Sequence, residues 1–84
     1  TDKVISMNDN VNKNKKIKKF KKFKVTSSVM KYAKKDVIFL HCLPRGSEVS
    51  NDVFFGKSSK VFQQALNRIY VQKSILLYCF SKLR

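Results

Sequence analysis

The chain is poor in the residues that staple or punctuate a small protein: two cysteines, one proline and two glycines among 84 residues. Cys42 and Cys79 sit in neither a CxxC nor a Cys/His spacing, which argues against a zinc-stapled miniprotein. Residues 1–12 contain no apolar core after a basic start, so no secretory leader is read there, and reduced thiols in a cytoplasmic protein are expected. Long apolar runs are lacking too. The longest, Ser74–Phe80, is far short of the roughly 20 residues that a membrane-spanning helix needs. No internal repeat is visible. A chain of this length buries only about 60–65% of the surface that its unfolded form exposes, so marginal stability is expected without help from a disulfide, a metal or a partner surface.

Acidic residues are the other shortage. Five stand against nineteen basic ones, for a net charge of +14, and sixteen of the nineteen are lysine. Such a balance raises nucleic acid or an anionic membrane surface as partners. The distribution tempers that idea, because eight of the lysines fall between Lys13 and Lys24. Read plainly, this run is a solvated helix face. The rival reading is a small basic module that uses Lys13–Lys24 on nucleic acid or an anionic surface. Against nucleic acid, the run holds no arginine, and Phe20 and Phe23 fall on the apolar stripe of the helix rather than on a stacking platform. The basic amphipathic pattern around Ile17, Phe20 and Phe23 is also what a membrane-surface helix shows.

Along the chain, Thr1–Met7 reads as the end of a strand and Asn8–Asn14 as a polar turn. Ile17, Phe20 and Phe23 recur at helical spacing. Val25 reads as a short strand, and Thr26, Ser27 or Ser28 can cap a second helix with Val29, Met30 and Ala33 on its apolar side. Val37-Ile38-Phe39-Leu40 is apolar at four consecutive positions, as in a central parallel strand covered on both faces. Pro44 to Ser59 gathers the proline, both glycines and several serines, and reads as a loop-rich connection. Val61, Phe62, Ala65, Leu66, Ile69, Gln72, Leu76 and Phe80 then trace the stripe of a long last helix, with Ser58 or Ser59 as its N-cap. From Ile75 onward apolar residues spread beyond one face, which calls for cover from other protein. The fold class expected is α/β: part of an open parallel sheet flanked by helices and ending in a long helix. Ligands of such sheets sit beyond the carboxyl ends of the strands, where Asp2–Met7 and His41–Pro44 both fall.

Three segments carry a resemblance. Val37–Val49 (VIFLHCLPRGSEV) resembles the His-Cys-Leu-Pro segment of ornithine carbamoyltransferases. Thr1-Asp2 followed by Ser6-Met7 is similar to that family's Asp-x-x-x-Ser-Met-Gly. Val61-Phe62-Gln63-Gln64-Ala65-Leu66-Asn67-Arg68 is similar to its Val-Phe-x-x-Ala-Glu-Asn-Arg. The order and spacing match the family's, and the likeness runs from Thr1 to about Phe80.

The resemblance implies transfer of the carbamoyl group of carbamoyl phosphate to the side-chain amine of L-ornithine, giving citrulline and phosphate in arginine metabolism. It implies that Asp2 and Ser6 hold the α-amino end of ornithine and that the Met7 backbone helps hold its carboxylate. Cys42 would lie beside the attacking amine, the Leu43 carbonyl would receive the carbamoyl NH₂, and Arg68 would reach carbamoyl phosphate. No cofactor and no metal are implied. The family works as a trimer or a multiple of one. Residues 1–84 are expected to be part of the amino-acid-binding domain. The carbamoyl phosphate-binding domain, with its Ser-x-Arg-Thr-Arg and His-Pro-x-Gln segments, is absent from them, so no turnover is expected of this chain alone. His41 is expected to be structural, and Cys79 to be core. Departures from the family pattern are Lys3 and Val4 for a usual Thr-Trp pair, Asn8 for glycine, and Leu66 for the glutamate before Asn67-Arg68.

Overall fold

The structure, a computed structural model, describes residues 1–5 and 12–83. Ser6, Met7 and Asn8 therefore lie outside the described residues. Among the described residues four α-helices follow one another: α1 (Lys13–Phe20), α2 (Ser27–Met30), α3 (Asn51–Phe54) and α4 (Val61–Lys82), with a 3-10 turn, Lys21–Phe23, closing α1.

Local chemistry explains the starts. Asn12 caps α1 by accepting from the Lys15 amide at 3.2 Å. Its last turn carries Lys18 and Lys19, which suit the negative end of a helix dipole. Lysines three and four apart repel along the rest of α1, eight residues is short for a helix, and α1 buries none of its residues, so its hold is weak. Thr26 caps α2 through its side chain, as one of the three hydroxyls the sequence offered. That helix is a single turn rather than the longer one expected; Met30 packs against the core while Val29 faces outward.

Strand pairing is reduced to two parallel bridges among the described residues, Val25 with Val49 and Phe39 with Ser59. The Val25 amide donates to the Glu48 carbonyl at 2.9 Å and the Ser50 amide to the Val25 carbonyl at 3.0 Å. The Phe39 amide donates to Ser58 at 2.8 Å and the Lys60 amide to Phe39 at 2.9 Å. The second bridge corrects the expected start of α4. Ser58 and Ser59 are used up in pairing with Phe39, so the helix begins at Val61 behind Lys60, with no side-chain cap.

Residues 37–40 depart from the expected interior strand in an informative way. Phe39 (4% exposed) and His41 (1%) turn inward, whereas Ile38 (59%) and Leu40 (40%) face out. This is the alternation of an extended segment covered on one face only. Nothing among the described residues covers the other face.

The buried apolar core is small: Phe39, Val49, Val53, Phe54 and Val61, with Val25 and Met30 packed against it. It sits under the loop-rich connection, which Arg45 braces. The Arg45 guanidinium donates to the Val49 carbonyl at 2.9 Å and to Asn51, and lies 4.6 Å from the Phe54 ring centroid. Beyond this core α4 runs out uncovered, and Cys79, expected in the core, is exposed. The radius of gyration is 16.8 Å, against about 12 Å for a compact domain of this length. No helix among the described residues is long and apolar enough to cross a membrane.

Candidate functional site

His41 is the pivot of the site. Its ring stacks on Phe39, with centroids 6.1 Å apart. Nε2 lies 2.8 Å from Glu48 Oε1, and Nδ1 lies 2.6 Å from the Thr1 hydroxyl. A carboxylate can only accept, so Nε2 carries the proton of that bond. The Thr1 amine donates to the Leu40 carbonyl at 2.8 Å. These bonds clamp the first residues of the chain against residues 40–41. His41 is thus structural, as its flanking sequence suggests.

Glu48 is the second brace. Besides His41 it accepts from the Gly46 amide at 2.8 Å, and so closes the turn after Pro44. Partial burial, the largest single influence, works to raise its pKa. The Gly46 and Glu48 amides and His41 together outweigh it and hold the carboxyl below its ordinary value.

With His41 turned inward, Cys42 turns the other way, as alternate residues of an extended chain do. Its half-buried thiol donates to Asp2 Oδ1 at 3.3 Å, across 40 residues of sequence. Asp2 also accepts from the Lys3 amide at 2.7 Å. That amide first, and the Cys42 thiol second, keep the exposed Asp2 carboxyl below its usual range. It is therefore a fixed negative charge at neutral pH. A cleft of about 390 Å³ opens beside it, walled by Thr1–Val4, by Lys16, Phe20 and Phe23, and by Glu48. Asp2 belongs to that lining; Cys42, Leu43 and Arg68 do not.

Leu43 follows at an exposed bend, and the Leu43–Pro44 peptide is cis. Arg68 stands apart on α4. With the Gln72 amide oriented to satisfy both groups, its oxygen accepts from Arg68 Nη2 at 3.1 Å and from Nε at 3.3 Å. The structure thus brings Asp2 and Cys42 together and leaves the Arg68 side chain lying along its own helix. Gln64, one turn before Arg68, accepts from the His41 amide at 3.0 Å. Sequence reasoning passed over Thr1, Glu48 and Gln64, which all serve through what they hold. The only signal for all three was their place inside the family-like segments.

The model of the aspartate/ornithine carbamoyltransferase Asp/Orn binding domain matches residues 1–79. The chain belongs to this family.

Among curated carbamoyltransferases, the ornithine carbamoyltransferase of Methanococcus maripaludis is 51% identical over 83 residues, which are 95% of this chain and 27% of that protein. That of Helicobacter hepaticus is 50% identical over 80 residues, 93% of this chain and 24% of that protein. Two solved carbamoyltransferases are also similar. Anabolic ornithine carbamoyltransferase from Campylobacter jejuni superposes with a TM-score of 0.82 at 39% identity, over 96% of this chain and 27% of the other. Ornithine carbamoyltransferase from Pyrococcus furiosus gives 0.77 at 40% identity, over 89% and 25%. The chain spans about a quarter of the length of these relatives.

Proposed function

We propose that these residues form the ornithine-binding part of an ornithine carbamoyltransferase, within an open parallel α/β sheet that the rest of such an enzyme would complete. The contact between the Asp2 carboxylate and the Cys42 thiol carries this reading. It puts a fixed negative charge, fit for an α-ammonium group, next to the thiol that the family sets beside the reacting amine.

In this reading Asp2 and Ser6 hold the α-amino group of L-ornithine, and the Met7 backbone holds its carboxylate. The side-chain amine, uncharged and beside Cys42, attacks the carbonyl carbon of carbamoyl phosphate. The new C–N bond forms, the C–O bond to phosphate breaks, and the amine gives up one proton; the products are L-citrulline and phosphate. The Leu43 carbonyl accepts from the carbamoyl NH₂. The Arg68 guanidinium, planar and permanently charged, suits the oxyanions of carbamoyl phosphate once it leaves Gln72. The family's Ser-x-Arg-Thr-Arg and His-Pro-x-Gln segments are not among these residues, so the carbamoyl phosphate-binding domain would supply most contacts to that substrate. A cytoplasmic homotrimer, or a multiple of it, acting in arginine metabolism is the setting that fits.

The test is a chimaera in which these 84 residues replace the matching segment of the Campylobacter jejuni enzyme. Citrulline formation is expected. Cys42→Ala or Arg68→Ala is expected to lower kcat by roughly a hundredfold or more, as loss of a group acting in the transition state does. Full activity in both variants would overturn the site assignment. The rival module built on Lys13–Lys24 makes no use of the Asp2–Cys42 contact. Tight polyanion binding with a steep salt dependence, unaffected by Cys42→Ala, would favour it.

A further inference from the structure

Among the described residues, only the start of α4 is attached to the body. Val61 is buried to 1% exposure, and Phe62 meets Phe54 edge-on at 5.7 Å. From residue 65 to residue 83 every residue is exposed. Among the described residues, Gln64 is the last on the helix whose side chain bonds to another segment. Its Oε1 accepts from the His41 amide at 3.0 Å.

That amide lies one residue before Cys42. Arg68 lies one turn beyond Gln64 on the same face of α4, because residues four apart are stacked along a helix. We propose that Gln64 is a positioning residue, which sets the roll of α4 against the His41–Cys42 segment and so fixes Arg68 relative to the Cys42 thiol. The inference rests on the carbamoyl-transfer reading of the same site.

The physics favours a glutamine. The His41 amide is partly buried and needs an acceptor that reaches from a helix across to an extended backbone. An amide on a two-carbon stem reaches it without adding a charge beside the buried imidazole. Gln64 is also the outermost tether, so any roll of the helix about its buried base acts on Arg68 directly. The neighbouring Gln63 provides the contrast, since its amide donates to Asn67 at 2.8 Å along its own helix.

The experiment compares Gln64→Met, Gln64→Glu and Gln63→Met. In the 84-residue chain, hydrogen exchange at the His41 amide is read against the Phe39 and Lys60 amides, whose bonds do not involve Gln64. Gln64→Met should speed His41 exchange about tenfold, Gln64→Glu should hold it within about threefold, and Gln63→Met should leave it unchanged. In the chimaera, Gln64→Met should lower kcat about tenfold or more while the ornithine KM stays within about threefold, and Gln64→Glu should restore most of the loss. Gln64→Asn, an amide one methylene too short, replaces the methionine variant if that one does not fold. Unchanged His41 exchange, an unchanged kcat, or an equal loss in Gln63→Met would each overturn the proposal. An inactive chimaera with Gln64 intact would instead defeat the carbamoyl-transfer reading, while the exchange measurement still judges the tether.

Discussion

Residues 25–64 and the length of α4 beyond them, the second the richer in apolar residues, meet opposite fates. In the first region, Phe39, Val49, Val53 and Phe54 find one another and, with Val61, make the buried core. In the second, Ile69, Ile75, Leu76, Leu77 and Phe80 all remain more than half exposed. A monomer rarely leaves so much contiguous apolar surface uncovered. Helical periodicity says that a face wants cover; it does not say where the cover comes from.

The sharpest way to break this comparison is to remove one large side chain from the core. Phe54→Ala should cost about 3–5 kcal/mol, which a domain of this size does not have to spare, and the chain should lose its cooperative urea transition. If Phe54→Ala melts like the parent, the core is not what holds residues 25–64.

A smaller effect tests the brace beside the core. Glu48→Gln removes the charge that holds the Gly46 amide and His41, and should cost about 1 kcal/mol at neutral pH, since the carboxylate is only partly buried. The sign of its pH dependence follows from the lowered folded-state pKa. The carboxylate stabilises the fold at pH above its ordinary value, and that contribution is lost as pH falls through the lowered one. The stability gap between parent and Glu48→Gln should therefore narrow on acidification. A gap that widens toward acid would show that Glu48 is not held as described.

The smallest effect belongs to the uncovered helix. Leu76→Gln should change the stability of this chain by less than about 0.5 kcal/mol, because its side chain is already in water. A loss as large as that of a core residue would mean that α4 is covered after all.

One contact of the candidate site was legible before the fold. Cys42 and Asp2 were singled out from short segments at opposite ends of a long stretch of sequence, and the structure brings the two into contact. That His41 and Cys42 would point to opposite faces was legible too, because neighbours on an extended backbone do so; which of them turns inward was not. Other features were hidden. That Ser58 and Ser59 would pair with Phe39 rather than cap α4 depends on a partner 20 residues upstream, which local propensity cannot see. The exposure of Ile38, Leu40 and Cys79 was hidden for the same reason, since burial is a property of neighbours.

By itself the sequence determined the kind of protein: three family-like segments in order, the capping of α2, the apolar stripe of α4, and the charge concentrated in residues 13–24. These are set by side-chain chemistry acting over a few residues. Only the tertiary structure decided that Thr1 and Glu48 would clamp the His41 ring, that Gln64 would tie α4 to the segment holding Cys42, and that one face of residues 37–40 would stay open. Such contacts join residues far apart along the chain, and no local pattern determines which distant groups the packing will bring within hydrogen-bonding reach.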